Sequence, residues 1–471
     1  MDYNKLKFKC GIEIHQQLET NKLFCSCPSK LRNDPHDISI KRRLRSVPGE
    51  GGEIDIAAKH ERDKELEFTY EGYSDSTCSV EFDEEPPHDL NKNALEITLE
   101  ICKMLNCDVV NEIQVMRKTV VNGSNTSGFQ RTMLVGQGGY LETSHGRVGI
   151  DSVCLEEDSA RRVGKILSTK TNKEKSIIYR LDRLGIPLVE IATCPDIKNP
   201  TQCKETAEKL GMILRSTGKV KRGIGVIRQD VNVSIKNGER VEIKGFQDLK
   251  NIPKIIDGEI KRQLKIKVKP EVRGANPDGT TTFMRPMPGA SRMYPETDVK
   301  PIIIDKRLLD EVKVSELIDN KILEYEKLGL NPSLSRGLVK AGFNLDDYQY
   351  NLDIKLISNI LVEIPKDIKS RYKLEHEFCE NDFRLVLNAL ELKKITKDSV
   401  INIFKDIAEG RKINLKNYSP VDDSKLEKEI KTLVEKNKDL SMGALMGEVM
   451  KKYSGKVDGK LASTLIAKYK I

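Results

Sequence analysis

The strongest constraint on this chain is a change in its hydrophobic period. Phe8 to His15 and Ile224 to Ile235 alternate apolar with polar residues, and Arg240 to Phe246 is a shorter example. A period of two is the signature of strands with one covered face. Beyond Asp305 the alternation fades, and long stretches rich in Leu, Ile, Lys and Glu run at helical spacing to about residue 410. The pattern predicts an α+β protein: a mixed α/β body over 1–304, a helical domain over 305–410 and a small helical tail over 411–471. Within the body, 91–107 reads as a helix with Leu95, Leu99 and Cys102 on one face. A second helix is expected from Pro200, a good first-turn residue, to Gly218, a good terminator. Gly136-Gln-Gly-Gly139 reads as a hairpin turn, and the Pro/Gly-rich stretch 268–279, with Arg285 to Gly289 after it, reads as loop.

Length and composition narrow the class. At 471 residues the chain is expected to form two to four domains, and 38% hydrophobic content is enough for real cores. No apolar run approaches the roughly 20 residues of a membrane span. Met1-Asp2-Tyr3-Asn4-Lys5 lacks the apolar core of a signal peptide. Ten cysteines scattered through a long chain fit reduced thiols, so a cytoplasmic protein is expected. Of the formal +8 charge, +6 falls in residues 411–471, where 14 Lys/Arg face 8 Asp/Glu. A near-neutral body with a basic end points to a local contact with an anion such as nucleic acid.

Several segments carry chemistry. Strand alternation puts Glu13 and His15 on one face and Ile12 and Ile14 on the other. Asp230, Asn232 and Ser234 share a face backed by Val231 and Val233, and Glu242 and Lys244 repeat the pattern. Such strands either surround one carboxylate-lined cavity, whose oxygen-rich donors would favour Mg²⁺, or simply expose an ordinary polar sheet face. Leu155-Glu-Glu-Asp158 is likewise either a ligand source or a solvated acidic run. Cys25-Ser-Cys27 resembles half a zinc site, but no second close pair follows; Cys78 and His60 are weak partners. Neither a Walker-type phosphate loop nor a G-x-G-x-x-G turn is present, so any ATP use needs a less familiar site. Lys41 to Arg45 and Lys219 to Arg222 are basic patches, and Lys451, Lys452, Lys456 and Lys460 surround a glycine-containing turn, Ser454 to Gly459.

Together these motifs resemble the GatB/GatE family, the catalytic subunits of tRNA-dependent amidotransferases. The resemblance spans nearly the whole chain and is carried by Gly11-Ile-Glu-Ile-His15, Met116-Arg-Lys118, Leu155-Glu-Glu-Asp158, Gly185-Ile-Pro-Leu-Val-Glu-Ile191, Arg228-Gln-Asp-Val-Asn-Val-Ser234 and Val241-Glu-Ile-Lys244. Residues 422–471 resemble the family's YqeY-like tail. His15-Gln-Gln17, Tyr70-Glu-Gly-Tyr73, Gly123 to Arg131 and Met293-Tyr-Pro-Glu-Thr-Asp298 are similar to the archaeal GatE branch.

The resemblance implies a mixed-sheet catalytic cradle, a helical domain and a tRNA-contacting tail. It also implies the chemistry: ATP phosphorylates the side-chain carboxylate of mischarged Glu-tRNA(Gln), and ammonia then displaces the phosphate. A separate asparaginase-like glutaminase subunit, of the GatD type, would supply the ammonia by a tunnel, in a heterotetramer with two copies of each subunit. Matched motif by motif, the resemblance puts Mg²⁺ ligands at Glu13, His15, Glu157 and Asp230. Glu242 stands nearby and Lys118 lies beside the ammonia route. The second cysteine pair of the bacterial branch is missing here, so no structural zinc is expected. The GatE branch's inserted domain, similar to one in bacterial aspartyl-tRNA synthetases, is also absent: the chain runs from Arg262-Gln-Leu-Lys265 almost directly to Arg273. That absence motivates the alternative of a non-catalytic tRNA-binding or assembly module. Outside the family context, the same ligands would fit a metal-dependent hydrolase.

Overall fold

The structure is a computed structural model. It describes residues 1–46, 48, 52–167, 174–246, 248–289, 292–421, 423–437, 440–453, 457 and 459–470. These fall into two compact units, Met1–Leu317 and Ile318–Ile471.

The first unit is built on an eleven-stranded mixed sheet. Ten strands form its continuous path: β1 (Lys9–Gln17), β2 (Met116–Thr119), β3 (Phe129–Thr143), β4 (Gly146–Glu157), β5 (Pro187–Thr193), β6 (Ile227–Ser234), β7 (Val241–Lys244), β8 (Glu271–Ala275), β9 (Thr281–Pro286) and β10 (Met293–Pro295). Their order across the sheet is β9-β8-β7-β6-β1-β5-β4-β3-β2-β10, and Asp108–Val109 pairs with β3. Most pairs are antiparallel, and β7 with β8 is parallel. The alternating sequences explain the layering. Ile12 and Ile14 of β1, Val153 and Leu155 of β4, Val189 and Ile191 of β5 and Val231 and Val233 of β6 are all buried in one core. The helices α1 (Lys92–Met104), α2 (Pro200–Ser216) and α3 (Ile252–Lys265) close that core with Leu95, Leu99, Leu210, Leu214, Ile256 and Ile260. The opposite face of the sheet keeps the polar set.

Both expected helices form, and their caps explain their ends. Asn91 accepts the Ala94 amide at 3.2 Å, and Asn199 accepts the Gln202 amide at 2.8 Å with Pro200 in the first turn. Gly218, at φ +68°, follows the second helix where a side chain would be strained.

Two local expectations are overturned. Gly136 to Gly139 is no turn but lies inside β3, and the hairpin reverses at Ser144 and His145 instead. The glycines serve close approach. A Cβ on Gly139 would stand 2.5 Å from the Leu105 carbonyl and 2.4 Å from Cys107 Sγ, and one on Gly136 would stand 2.8 Å from Cys102 Sγ. Gly139→Ala should therefore cost about 2 kcal/mol by overpacking, read as a lower urea midpoint in far-ultraviolet circular dichroism. An unchanged midpoint would show that the helix end yields freely. Of the stretches read as loop, 268–279 and 285–289, residues 271–275 are strand β8 and 285–286 end β9; the two form a hairpin with its turn confined to Asn276–Gly279, where the Gly279 amide donates to the Asn276 carbonyl at 3.0 Å. Val272, fully buried, and the Arg273–Glu271 ion pair at 2.9 Å hold β8 in place.

A smaller four-stranded sheet runs in the order Ile38–Arg42, Glu67–Gly72, Glu174–Arg180, Arg161–Leu167 around Phe68, Tyr70, Ile177 and Tyr179. The second unit is helical among its described residues. Five α-helices from Ile318–Lys327 to Val400–Ala408 enclose one core, which includes Leu338, Leu361, Phe383 and Phe404. Asp423–Lys436, Met442–Lys452 and Gly459–Tyr469 enclose another around Leu426, Ile430, Leu445 and Ile466. Ser454, Gly455, Lys456 and Asp458 of the lysine-flanked turn, and the Lys460 side chain, lie outside the described residues. No helix among the described residues is long and apolar enough to cross a membrane.

Candidate active site

The polar face of the large sheet carries the candidate site at its centre, where β1 lies between β5 and β6. Directly paired residues share a face. Glu13 is opposite Asp230, and His15 is opposite Glu190. Asn232 is opposite Glu242 on β7, and Leu188 is opposite Glu156 on β4. The donor atoms of Glu13, His15 and Glu190 all lie within 4.8 Å of one another, and so do those of Glu13, Asp230 and Glu242. Glu13 belongs to both groups. The set is hard oxygen plus one imidazole, the donor chemistry of a magnesium-type cation.

Cations of the chain itself balance part of this charge. Lys244 pairs with both Asp230 and Glu242. Lys118 donates to Glu156 Oε1 at 2.5 Å and lies 3.8 Å from Glu190. His15 Nε2 sits 3.0 Å from Glu190 Oε2, and Asn232 donates to Glu13 Oε1 at 3.0 Å. Burial pulls the His15 pKa down, but the hydrogen bond and charge of Glu190 outweigh it and leave it raised. Burial would raise Glu190, but Lys118 and His15 drive it well below the ordinary carboxylate range. Glu13 goes the other way: burial, then Glu190 and Glu242, push its carboxyl up to about 7.

A proton on Glu13 therefore competes with any cation there. Affinity for a divalent cation held by Glu13 and His15 should rise steeply with pH through about 7, by more than about tenfold per unit where the carboxyl and the imidazolium must both lose a proton. Calorimetric titration across that range checks this; a flat profile would remove Glu13 from the ligand set.

The groups open onto a cavity of about 1080 Å³. Glu13, His15, Lys118, Glu156, Glu190, Asp230, Glu242 and Lys244 all line it, with Arg228, Arg285 and Arg292 at its walls. Of the residues expected from sequence, Glu13, His15, Asp230 and Glu242 come together, and Lys118 reaches the same cavity. Glu157 does not. Successive strand residues point to opposite faces, so Glu156 enters the cavity while Glu157 turns away. Glu157 instead lies 3.4 Å from buried Arg131, which also donates to Glu296 at 2.8 Å. The acidic run is thus neither a solvated patch nor a single ligand source. All three acids are buried, and Asp158 binds Arg228 at 2.9 Å and Gln17 at 2.6 Å.

Glu156 and Glu190 are not among the residues expected from sequence. The signal is present for both: each is flanked by residues of the buried face, Leu155 for one, Val189 and Ile191 for the other, so alternation alone puts each carboxylate on the polar face.

Comparison with known proteins bears on the whole chain. Residues 8–310 match the family described as GatB/GatE catalytic domain, and residues 349–469 match the one described as GatB domain. The chain is similar to the E subunit of the glutamyl-tRNA(Gln) amidotransferase of Methanocaldococcus jannaschii, 33% identical over 635 aligned residues covering 99% of each chain. It resembles the corresponding proteins of Methanosarcina acetivorans and Archaeoglobus fulgidus at 34% over 628 and 614 residues, covering 99% of this chain and 98% of theirs. These alignments are far longer than the 471 residues present here, so the relatives carry a long stretch that this chain lacks.

Proposed function

The chain belongs to the GatB/GatE family of tRNA-dependent amidotransferase subunits, and from that premise we infer that it converts mischarged Glu-tRNA(Gln) to Gln-tRNA(Gln). ATP and Mg²⁺ take part: the glutamyl side-chain carboxylate is phosphorylated, and ammonia displaces the phosphate to leave the amide. A carboxylate needs this activation because oxide is a very poor leaving group. The observation that carries the reading is Glu13, shared by two donor groups that line one cavity. The five acids Glu13, Glu156, Glu190, Asp230 and Glu242 would repel ATP and the glutamyl carboxylate, Lys118 and Lys244 offset only part of that charge, and a bound cation would supply the rest.

Glu13, Asp230, Glu242, Glu190 and His15 would hold that cation. When bound, Mg²⁺ supplies the neutralisation of phosphate oxygens that phosphoryl transfer requires. The chain's own residues do the rest. Glu190 orients the His15 ring by their 3.0 Å contact. Lys244 pairs with Asp230 and Glu242, and it outweighs burial to hold the Glu242 carboxyl below its ordinary pKa. Lys118, anchored by Glu156, directs an ammonium into the cavity, where it can bind phosphate oxygens and guide incoming ammonia past the acids. Glu157 keeps a different role, holding Arg131 and the sheet behind the site.

Ammonia comes from an asparaginase-like glutaminase partner of the GatD type, in a cytoplasmic heterotetramer with two copies of each subunit. Mixing the chain with such a partner, glutamine, ATP, Mg²⁺ and Glu-tRNA(Gln) should yield Gln-tRNA(Gln) together with ADP. Failure to form either product would defeat the reading. The helical unit and its basic tail hold the body of the tRNA, mostly through phosphate contacts. Affinity should therefore fall with salt, and Lys451→Ala should reduce the log–log salt slope by about one. Filter binding at graded KCl reads this; an unchanged slope would free Lys451 from phosphate contact.

A further inference from the structure

The cations on the cavity wall are not alike. Lys118 lies 2.5 Å from Glu156 and 3.8 Å from Glu190, and Lys244 pairs with Asp230 and Glu242. Arg228 is held by buried Asp158 at 2.9 Å. Arg285 and Arg292 line the same cavity, yet neither makes an ion pair or a hydrogen bond among the described residues. Both are partly buried. Burial and the like charge of Arg285 pull the Arg292 pKa down, against the fields of Asp55, Glu242 and Glu156, none of which pairs with it. Two guanidinium groups set side by side without a partner are costly unless an anion joins them.

The topology explains how they meet. Arg285 lies near the end of β9, and Arg292 stands just before β10. These strands are the two ends of the sheet path. Laid flat, its nine strand spacings would separate them by about 43 Å. The seven peptide links from Pro286 to Met293 reach about 25 Å at most. The sheet must therefore curl until its edges approach each other. The Gly289 amide, donating to Asp55 Oδ2 at 2.8 Å, fastens the connection. The arginines thus come to the cavity from the sheet's edges and the acids from its centre. Glu242 feels the charge of both arginines, and Lys118 that of Arg292.

A guanidinium fork fits phosphate oxygens two at a time. A pair of forks matches the two charges of a terminal phosphate better than the single charge of the diester that ends a tRNA. In the reaction proposed for this chain, the group that brings such charge into the cavity is the phosphoryl group of ATP.

We propose that Arg285 and Arg292 bind the phosphoryl group as it passes from ATP to the glutamyl carboxylate, a role that rests on the use of ATP by this chain. A carboxylate oxygen bonds to the terminal phosphorus, the bond from that phosphorus to the bridging oxygen breaks, and ADP leaves with the electron pair. The other three phosphoryl oxygens keep their charge throughout, and the guanidinium groups stay on them.

Titration calorimetry of the full chain with Mg²⁺ and either ADP or the non-hydrolysable analogue AMPPNP reads the contact without turnover. The wild-type chain should bind AMPPNP more tightly than ADP. Arg285→Ala and Arg292→Ala should each weaken AMPPNP by about tenfold or more and ADP by less than about threefold. Arg292→Lys should recover only part of the loss, because an ammonium lacks the fork. In turnover, the alanine variants should lower kcat for tRNA-dependent ADP formation by about a hundredfold or more. Should an alanine variant fail to fold, the lysine variants carry the test, with AMPPNP weakened by about threefold or more and ADP unchanged. AMPPNP affinities equal to the wild type's would overturn the proposal while leaving ATP use intact. So would variants that keep AMPPNP affinity but no longer distinguish tRNA with its 3′-terminal adenosine from tRNA lacking it, which would assign the pair to the terminal diester. A wild-type chain that binds neither nucleotide would remove ATP use, and this role with it.

Discussion

Glu13→Gln should lower tRNA-dependent ADP formation by about a thousandfold or more, equivalent to roughly 4 kcal/mol in the barrier. The substitution keeps the shape of the side chain and removes one charge from the residue common to both donor groups. The Asn232 hydrogen bond to Oε1 can persist, so the sheet should hold. Affinity for Glu-tRNA should stay within about twofold, because the proposed phosphate contacts, not the Glu13 cluster, would supply most of it. Glu157→Gln is the matched control. Its carboxylate faces Arg131 and not the cavity, so it should lower stability while leaving the phosphorylation rate nearly intact. An inactive Glu157→Gln would return Glu157 to the ligand set that the family resemblance implies, and a silent Glu13→Gln would reject both that set and the geometry.

Arg131→Met carries the largest expected effect on stability. Arg131 is 6% exposed and bridges Glu157 and Glu296, and Glu296 is fully buried. Burial pushes the Glu157 carboxyl up, and Arg131 is the first group opposing that shift. Removing the guanidinium leaves Glu157 with the Arg131 amide as its remaining hydrogen-bond donor among the described residues, and leaves Glu296 with Arg117 at 2.5 Å and the Asp298 amide at 3.0 Å. Breaking a buried pair in this one-sided way costs about 3–5 kcal/mol. Methionine fills part of the space, so the loss is electrostatic more than steric. Native-state hydrogen exchange of the β3 and β4 amides should show an opening free energy lower by that amount. A change under about 1 kcal/mol would mean that water or Arg117 already satisfies both acids.

Much of this arrangement is legible in the sequence, and the reasons are local. Period-two alternation places Glu13, His15, Asp230 and Glu242 on polar faces without any knowledge of pairing. Their convergence is not legible, because register between β1, β5 and β6 is a long-range property. In the acidic run, the apolar partners Val153 and Leu155 fix the parity and select Glu156 over Glu157; family matching points at the wrong neighbour. The β8–β9 hairpin is hidden by its own turn, since Asn276 to Gly279 lends loop composition to the residues around it. Gly136 and Gly139 mislead for the opposite reason. They look like a turn locally, yet the end of α1 is what requires them, and that contact is absent from the local sequence. Cys25 and Cys27 come together with Cys78 and Glu81, their four ligand atoms within 4.8 Å of one another, across some fifty residues of aperiodic chain, where no spacing rule applies.

The central claim is that the glutamyl carboxylate is activated by phosphorylation at the Glu13 cluster. The most direct measurement follows an oxygen atom. Glu-tRNA(Gln) labelled with ¹⁸O in the side-chain carboxylate is incubated with the chain, ATP, Mg²⁺ and ammonium, and the released phosphate is analysed by mass spectrometry. Displacement of phosphate by ammonia carries one carboxylate oxygen away, so each Gln-tRNA formed should yield one labelled phosphate, and Glu13→Gln should yield almost none. Gln-tRNA formed with unlabelled phosphate would contradict the account.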